Sequence, residues 1–222
     1  MESIHSNLVS HELRTFQGYS REVVKPSDPS GVLRIIVGGG IGAGKGVVAR
    51  IFSEHGFAVI SADEVGHGVL EPGGTAFADV ADRWPSVLVD GRIDRPSLAA
   101  IVFGDAAELE ELEAMTRGAI IEAISEHVAT LEGSVVVEVP LLLPLTGPDR
   151  DGWRRVFVDA DLELRIQRAV ARGGEEGDVR RRAAAQVDRQ TWLDWADEVI
   201  VNEGSLEALE EQVEALLDEV AQ

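Results

Sequence analysis

The stretch VLRIIVGGGIGAGKGVVARIFSEHG, residues 32–56, decides the fold class of this 222-residue chain. Val32-Leu33-Arg34-Ile35-Ile36-Val37 is mostly apolar, rich in β-branched residues and bounded by glycine, as expected of a strand buried in a parallel sheet. Val47 to Phe52 suits a helix that stops near Gly56. Between them, Gly39-Gly40-Ile41-Gly42-Ala43-Gly44-Lys45 has the spacing G-x-x-x-x-G-K. In that strand-to-helix setting the spacing carries a mechanism. Glycines let backbone N–H groups turn inward, the helix N-terminus adds the positive end of its dipole, and lysine reaches the terminal phosphates as a point charge. Lys45 stands out because Lys25 is the only other lysine among 20 basic residues. The next positions are Gly46 and Val47, so the Ser or Thr hydroxyl that such a loop offers to Mg²⁺ is missing, and a water would take its place.

Outward from the loop, strands and helices alternate. Phe57 to Ile60 reads as a second strand that leads to Ser61-Ala62-Asp63, Val135 to Val139 as a third, Arg155 to Asp159 as a fourth and Glu198 to Val201 as a fifth. The segment from about 64 to 130 is helical in composition, with turns at Glu71-Pro72-Gly73-Gly74 and Val89-Asp90-Gly91 and a long helix over 106–131 that Gly118 could interrupt. Leu162 to Ala171 is a helix, and Asp178 to Trp195 an arginine-rich one. The last helix takes Ser205 as its N-cap and turns Leu206, Leu209, Val213, Leu216 and Leu217 to one face. The pattern predicts an α/β fold on a mainly parallel sheet. Residues 1–30 show no sustained period and read as an N-terminal extension.

The charge is lopsided: 40 acids against 20 bases give −20. Such a molecule repels nucleic acid and anionic lipid, so neither is an expected partner. A phosphate site must then be built locally, from backbone amides and a few cations. No apolar run approaches the ~20 residues of a membrane helix. The chain has no cysteine, which rules out disulfides and fits a cytoplasmic protein. His5, His11, His55, His67 and His127 show no zinc-site spacing.

The run GGIGAGKGVVARIFSEHGFAVISADEVGHGVLEPGG, residues 39–74, resembles the amino-terminal third of dephospho-coenzyme A kinases. The likeness continues through DGRIDRPSLAAIVFGD, LEAMTRGAI, VVVEVPLLLP, AAQVDRQTWL and ADEVIVNEGS, from about Leu33 to the C-terminus. It implies a P-loop kinase fold over residues 31–222: a five-stranded parallel sheet flanked by helices, a helical acceptor-binding insertion at about 64–130 and an arginine-bearing lid at about 165–192. It also implies transfer of the γ-phosphoryl of ATP to the ribose 3′-hydroxyl of dephospho-coenzyme A, with Mg²⁺. Four positions depart from the family pattern. Gly46 replaces the hydroxyl, Ser61 the first acid of D-A-D, Arg117-Gly118 the pair His-Pro, and Pro144 the acid after P-L-L. They leave open a non-catalytic nucleotide-binding relative, or a kinase of another small hydroxylated acceptor.

The candidate residues follow. Gly40, Ile41, Gly42, Ala43, Gly44, Lys45, Gly46 and Val47 would cradle the phosphates. Asp63, at the sheet edge where ligands sit, would take the acceptor's proton or hold Mg²⁺ through water; its alternative is an N-cap. Glu138, a carboxylate within an apolar strand, would organise Mg²⁺ or pair with an arginine. Arg168, Arg172 and Arg189 would meet the transferring phosphoryl group, Arg189 because it matches A-A-Q-x-x-R. Asn202 is similar to a family position near the adenine. Oligomeric state is not legible.

Overall fold

The computed structural model describes residues 32–140 and 152–220. The expected extension at 1–30, Lys25, Leu141, Leu142 and Pro144 lie outside these residues. Five parallel strands form the sheet: β1 (Arg34–Gly38), β2 (Ala58–Ser61), β5 (Val135–Glu138), β6 (Trp153–Asp159) and β7 (Glu198–Val201). Their order is β2-β5-β1-β6-β7. The crossover from β1 runs to β2 on one side and the crossover from β5 runs to β6 on the other, which opens a crevice over the carboxyl ends of β5 and β1; ligands bind there in doubly wound sheets.

Both faces are covered, which is why the strands are apolar throughout instead of alternating. On one face Ile35, Val37, Val136, Val156 and Val158 pack on α1 (Lys45–Glu54) and the C-terminal helix (Leu206–Val220). On the other, Ile36, Val135 and Val137 meet Ala62 and Ile124. These last come from α2 (Ala62–Val69) and the long α5 (Ala106–Thr130). Between them lie α3 (Phe77–Arg83) and α4 (Arg95–Val102), which enclose a separate small core of Val80, Trp84, Val87, Leu98 and Val102. After β6 come α6 (Leu162–Ala171), α7 (Glu176–Ala185) and α8 (Arg189–Trp195). The C-terminal helix is α9.

The structure corrects several details. The second strand ends at Ser61, and Asp63 belongs to the first turn of α2. Helix α5 runs unbroken through Gly118, whose cost of up to ~1 kcal/mol a helix of this length absorbs. The expected helix over 178–195 is two helices, because Asp188 caps α8 by accepting the Thr191 N–H at 2.7 Å. A two-stranded hairpin, β3 (Leu88–Val89) and β4 (Arg92–Ile93), turns at Asp90 and Gly91 with φ of 49° and 76°. Its strands are too short to show a period. In α9, Ser205 Oγ accepts the Ala208 N–H at 3.3 Å as anticipated. Leu206 is exposed, however, and Val220 is buried in the stripe with Leu209, Val213 and Leu216.

Candidate active site

The glycine loop lies at the carboxyl end of β1 and runs into α1. Gly42 and Gly44 hold φ of 76° and 101°, the left-handed region that glycine enters without strain. Gly44 O accepts the N–H of Val47 at 2.9 Å and of Val48 at 3.2 Å, and Gly40 O that of Ala43 at 3.1 Å. The N–H groups of Gly42, Gly44, Lys45 and Gly46 find no acceptor among the described residues. No side chain caps α1. A set of unpaired amides at a helix N-terminus is the donor set a polyphosphate needs.

The loop is braced from outside. Asn202, buried beyond β7, donates its amide Nδ2 to Ala43 O at 2.8 Å. Arg168 Nη1 in turn donates to Asn202 O at 2.8 Å. Gln186, between α7 and α8, accepts the Ile41 N–H through Oε1 at 2.8 Å, while Arg165 Nε donates to Ile41 O at 3.0 Å. Three members of the expected cradle are therefore corrected. The Ile41 N–H is taken by Gln186, the Ala43 N–H by Gly40 O and the Val47 N–H by Gly44, so none of these amides is open to a ligand. Asn202 and Arg168 hold the loop's shape; the described hydrogen bonds of Asn202 are to Ala43 O, to Asp159 O and from Arg168.

A Cβ at Gly44 would run into Asn202 Nδ2. Gly44→Ala therefore combines a left-handed residue with a Cβ, costing ~1–2 kcal/mol, and displaces a hydrogen bond worth ~1 kcal/mol. The expected result is a lower melting temperature together with weaker ATP binding by calorimetry. Wild-type affinity in this variant would show that the loop's shape is not what binds nucleotide.

Lys45 opens α1 and donates from Nζ to Gly40 O at 3.4 Å. Burial lowers its pKa; the nearby carboxylates of Glu138 and Asp63 oppose that shift, and Arg165 and Arg172 add to it. Glu138 ends β5, in register with Val37 of β1 and Ser61 of β2. Its carboxyl is raised in pKa chiefly by burial, with Asp63 and Glu64 adding to the shift and Lys45 opposing it. Sheet register thus brings Lys45, Glu138 and Asp63 to one edge without an ion pair closer than 4 Å among them. Asp63 is exposed, and its side chain makes no hydrogen bond among the described residues. The N-cap alternative for it fails, because Ser61 caps α2, its Oγ accepting the Glu64 N–H at 3.4 Å.

The arginines divide. Arg189 Nε and Nη2 both meet Asp159 Oδ2, at 2.8 and 2.7 Å. Arg172 caps the end of α6, is exposed, and its side chain has no hydrogen-bond or ion-pair partner among the described residues. Arg180 is spent on Glu163 and Glu176, Arg181 on Asp178 and Arg117 on Glu113, all at the surface. A cavity of about 580 Å³ opens beside the loop, lined in part by Asp159, Arg165, Gln186, Arg189 and Glu203. Sequence reasoning passed over three residues here: Gln186, Asp159 and the loop contact of Arg165. Gln186 stood in plain sight inside A-A-Q-x-x-R. No group of three or more His, Cys, Asp or Glu suited to a metal is present among the described residues.

The dephospho-CoA kinase family profile matches residues 33–208. The dephospho-CoA kinase of Methylococcus capsulatus is 42% identical over 188 residues, 82% of this chain and 94% of that protein. That of Corynebacterium efficiens is 38% identical over 196 residues, 85% of this chain and 98% of its own. Among solved structures, a Thermus thermophilus protein superposes with a TM-score of 0.72 at 31% identity, covering 85% of this chain and 98% of the other. The dephospho-CoA kinase of Campylobacter jejuni, at 23% identity and a TM-score of 0.62 over 85% and 96% of the two chains, shares the fold. With a P-loop at the switch point of a parallel sheet, and with relatives matched over nearly their whole length, the chain belongs to the dephospho-CoA kinase family.

Proposed function

We infer that the chain phosphorylates the ribose 3′-hydroxyl of dephospho-coenzyme A with the γ-phosphoryl of ATP. The family is one of ATP-dependent kinases. The single structural observation that carries the reading to this site is the row of unpaired amides, Gly42, Gly44, Lys45 and Gly46, beside a desolvated ammonium. In a molecule of net charge −20 these groups supply the local positive field that a triphosphate requires.

Lys45 and the amides hold the β- and γ-phosphates. The acceptor oxygen attacks the γ-phosphorus in line, its proton passes to the Asp63 carboxylate, and ADP departs with the electron pair of the broken P–O bond. Arg172, whose side chain has no ion pair among the described residues, meets charge on the transferring oxygens; Arg189 joins it if it leaves Asp159. Residues 165–192 act as the lid that excludes water, and 64–130 as the acceptor-binding insertion. The donor chemistry suits Mg²⁺: Glu138 ends β5 beside Gly46, Asp63 lies in the first turn of α2, and neither carboxylate has a hydrogen-bond or ion-pair partner among the described residues. When bound, the ion neutralises phosphate charge. No helix among the described residues is long and apolar enough to cross a membrane, and the setting we propose is the cytoplasm.

Incubation with ATP, Mg²⁺ and dephospho-coenzyme A should add one phosphoryl group to the acceptor by mass spectrometry. ATP binding without turnover on any acceptor would make the chain a non-catalytic relative. Turnover confined to another alcohol would reassign the acceptor and leave the phosphate site standing.

A further inference from the structure

Gly46 occupies the position where a phosphate loop offers a hydroxyl to its metal. Nothing in the backbone asks for glycine there, since the residue lies inside α1 with no positive φ. Crowding does not ask for it either. A Cβ at this position would have one neighbour within 4 Å, Glu138 Oε2 at 3.8 Å. The absent side chain therefore opens room directly onto a carboxylate. That carboxylate is half-buried between the ends of β1 and β2 and accepts no hydrogen bond among the described residues. Burying such a group without a hydrogen bond is costly; the Lys45 ammonium, more than 4 Å away, offsets part of that cost, and a divalent cation offsets more.

We propose that Glu138 performs the task of the missing hydroxyl: through a water seated beside Gly46, it holds the divalent cation that accompanies ATP. Gly46 and Glu138 form one unit, in which the small residue makes room for the water and the carboxylate orients it. A serine at 46 would put its own oxygen where that water sits. The importance of Glu138 to metal binding thus depends on what stands at 46. This rests on the loop being the ATP site.

The test is a double-mutant cycle read by Mn²⁺ binding to the enzyme–ATP complex, with electron paramagnetic resonance separating free from bound ion. Glu138→Gln, which keeps the side chain's shape, should weaken Mn²⁺ binding by roughly tenfold or more in the native background. Gly46→Ser alone should tighten it only slightly. With Ser at 46, Glu138→Gln should cost no more than a small fraction of that factor. Glu138→Asp, a carboxylate set back by one methylene, should behave like Glu138→Gln and be rescued in the same way. Equal losses with Gly or Ser at 46, or no loss in the native background, would overturn the proposal. Melting temperatures of the variants and ATP binding in EDTA isolate the metal effect. A native chain that binds no ATP in EDTA or with Mn²⁺ would overturn the ATP-site reading itself, a different failure from additive losses on a nucleotide-binding protein.

Discussion

Asp63→Asn is expected to lower kcat by roughly 10²- to 10⁴-fold, the range for removal of a positioned general base, with little change in the KM for ATP. The split between the two constants is the point of the experiment. Asp63 lies in the first turn of α2, exposed at the carboxyl edge, and Ser61 already caps that helix. Losing the Asp63 charge therefore removes no capping bond, and the helix should persist. Asparagine keeps the shape and the hydrogen-bonding oxygen but cannot take up the acceptor's proton. Steady-state kinetics with varied ATP and varied acceptor would measure both constants. An unchanged kcat would strip Asp63 of its role and leave Glu138 as the carboxylate to examine.

Lys45→Ala is expected to weaken ATP binding by roughly 10- to 150-fold, the factor that corresponds to a charge-assisted contact of ~1.5–3 kcal/mol. Two opposing effects have to be weighed. The ammonium is desolvated, which costs the folded protein something; it also neutralises Glu138 and Asp63, which face it across the edge. Truncation removes both, so the melting temperature should move little while the affinity falls. Lys45→Arg should not restore it, because the guanidinium is a broad planar fork where the loop offers room for a compact charge. Calorimetry on the folded variant decides: native affinity would remove Lys45 from the cradle and leave the amides as its whole basis.

How far the chain could be read differs from one feature to the next. The glycine loop, the five strands and Leu162–Ala171 were legible because each is a local pattern: short apolar, β-branched runs, a helical apolar period, and a turn whose φ values only glycine adopts freely. The hairpin at 88–93 was not, since two-residue strands carry no period. The break at Gln186–Asp188 was missed because arginine-rich sequence looks helical on either side of a cap. Among the site residues, Lys45 was readable from motif spacing alone. Arg189 was named for phosphate, and the structure holds it on Asp159. The pair is invisible in sequence because it depends on α8 folding back against the end of β6.

The amino-acid order by itself determined the kind of site, since hydrophobic period and glycine placement act over a few neighbouring residues and need no tertiary partner. Only the folded molecule decided which amides stay open. Gln186 closes Ile41 from 145 positions away, and Asn202 fixes Ala43 from 159 away. Such contacts arise when parallel crossovers stack distant segments over one crevice, and no local rule of the chain encodes which atoms then meet.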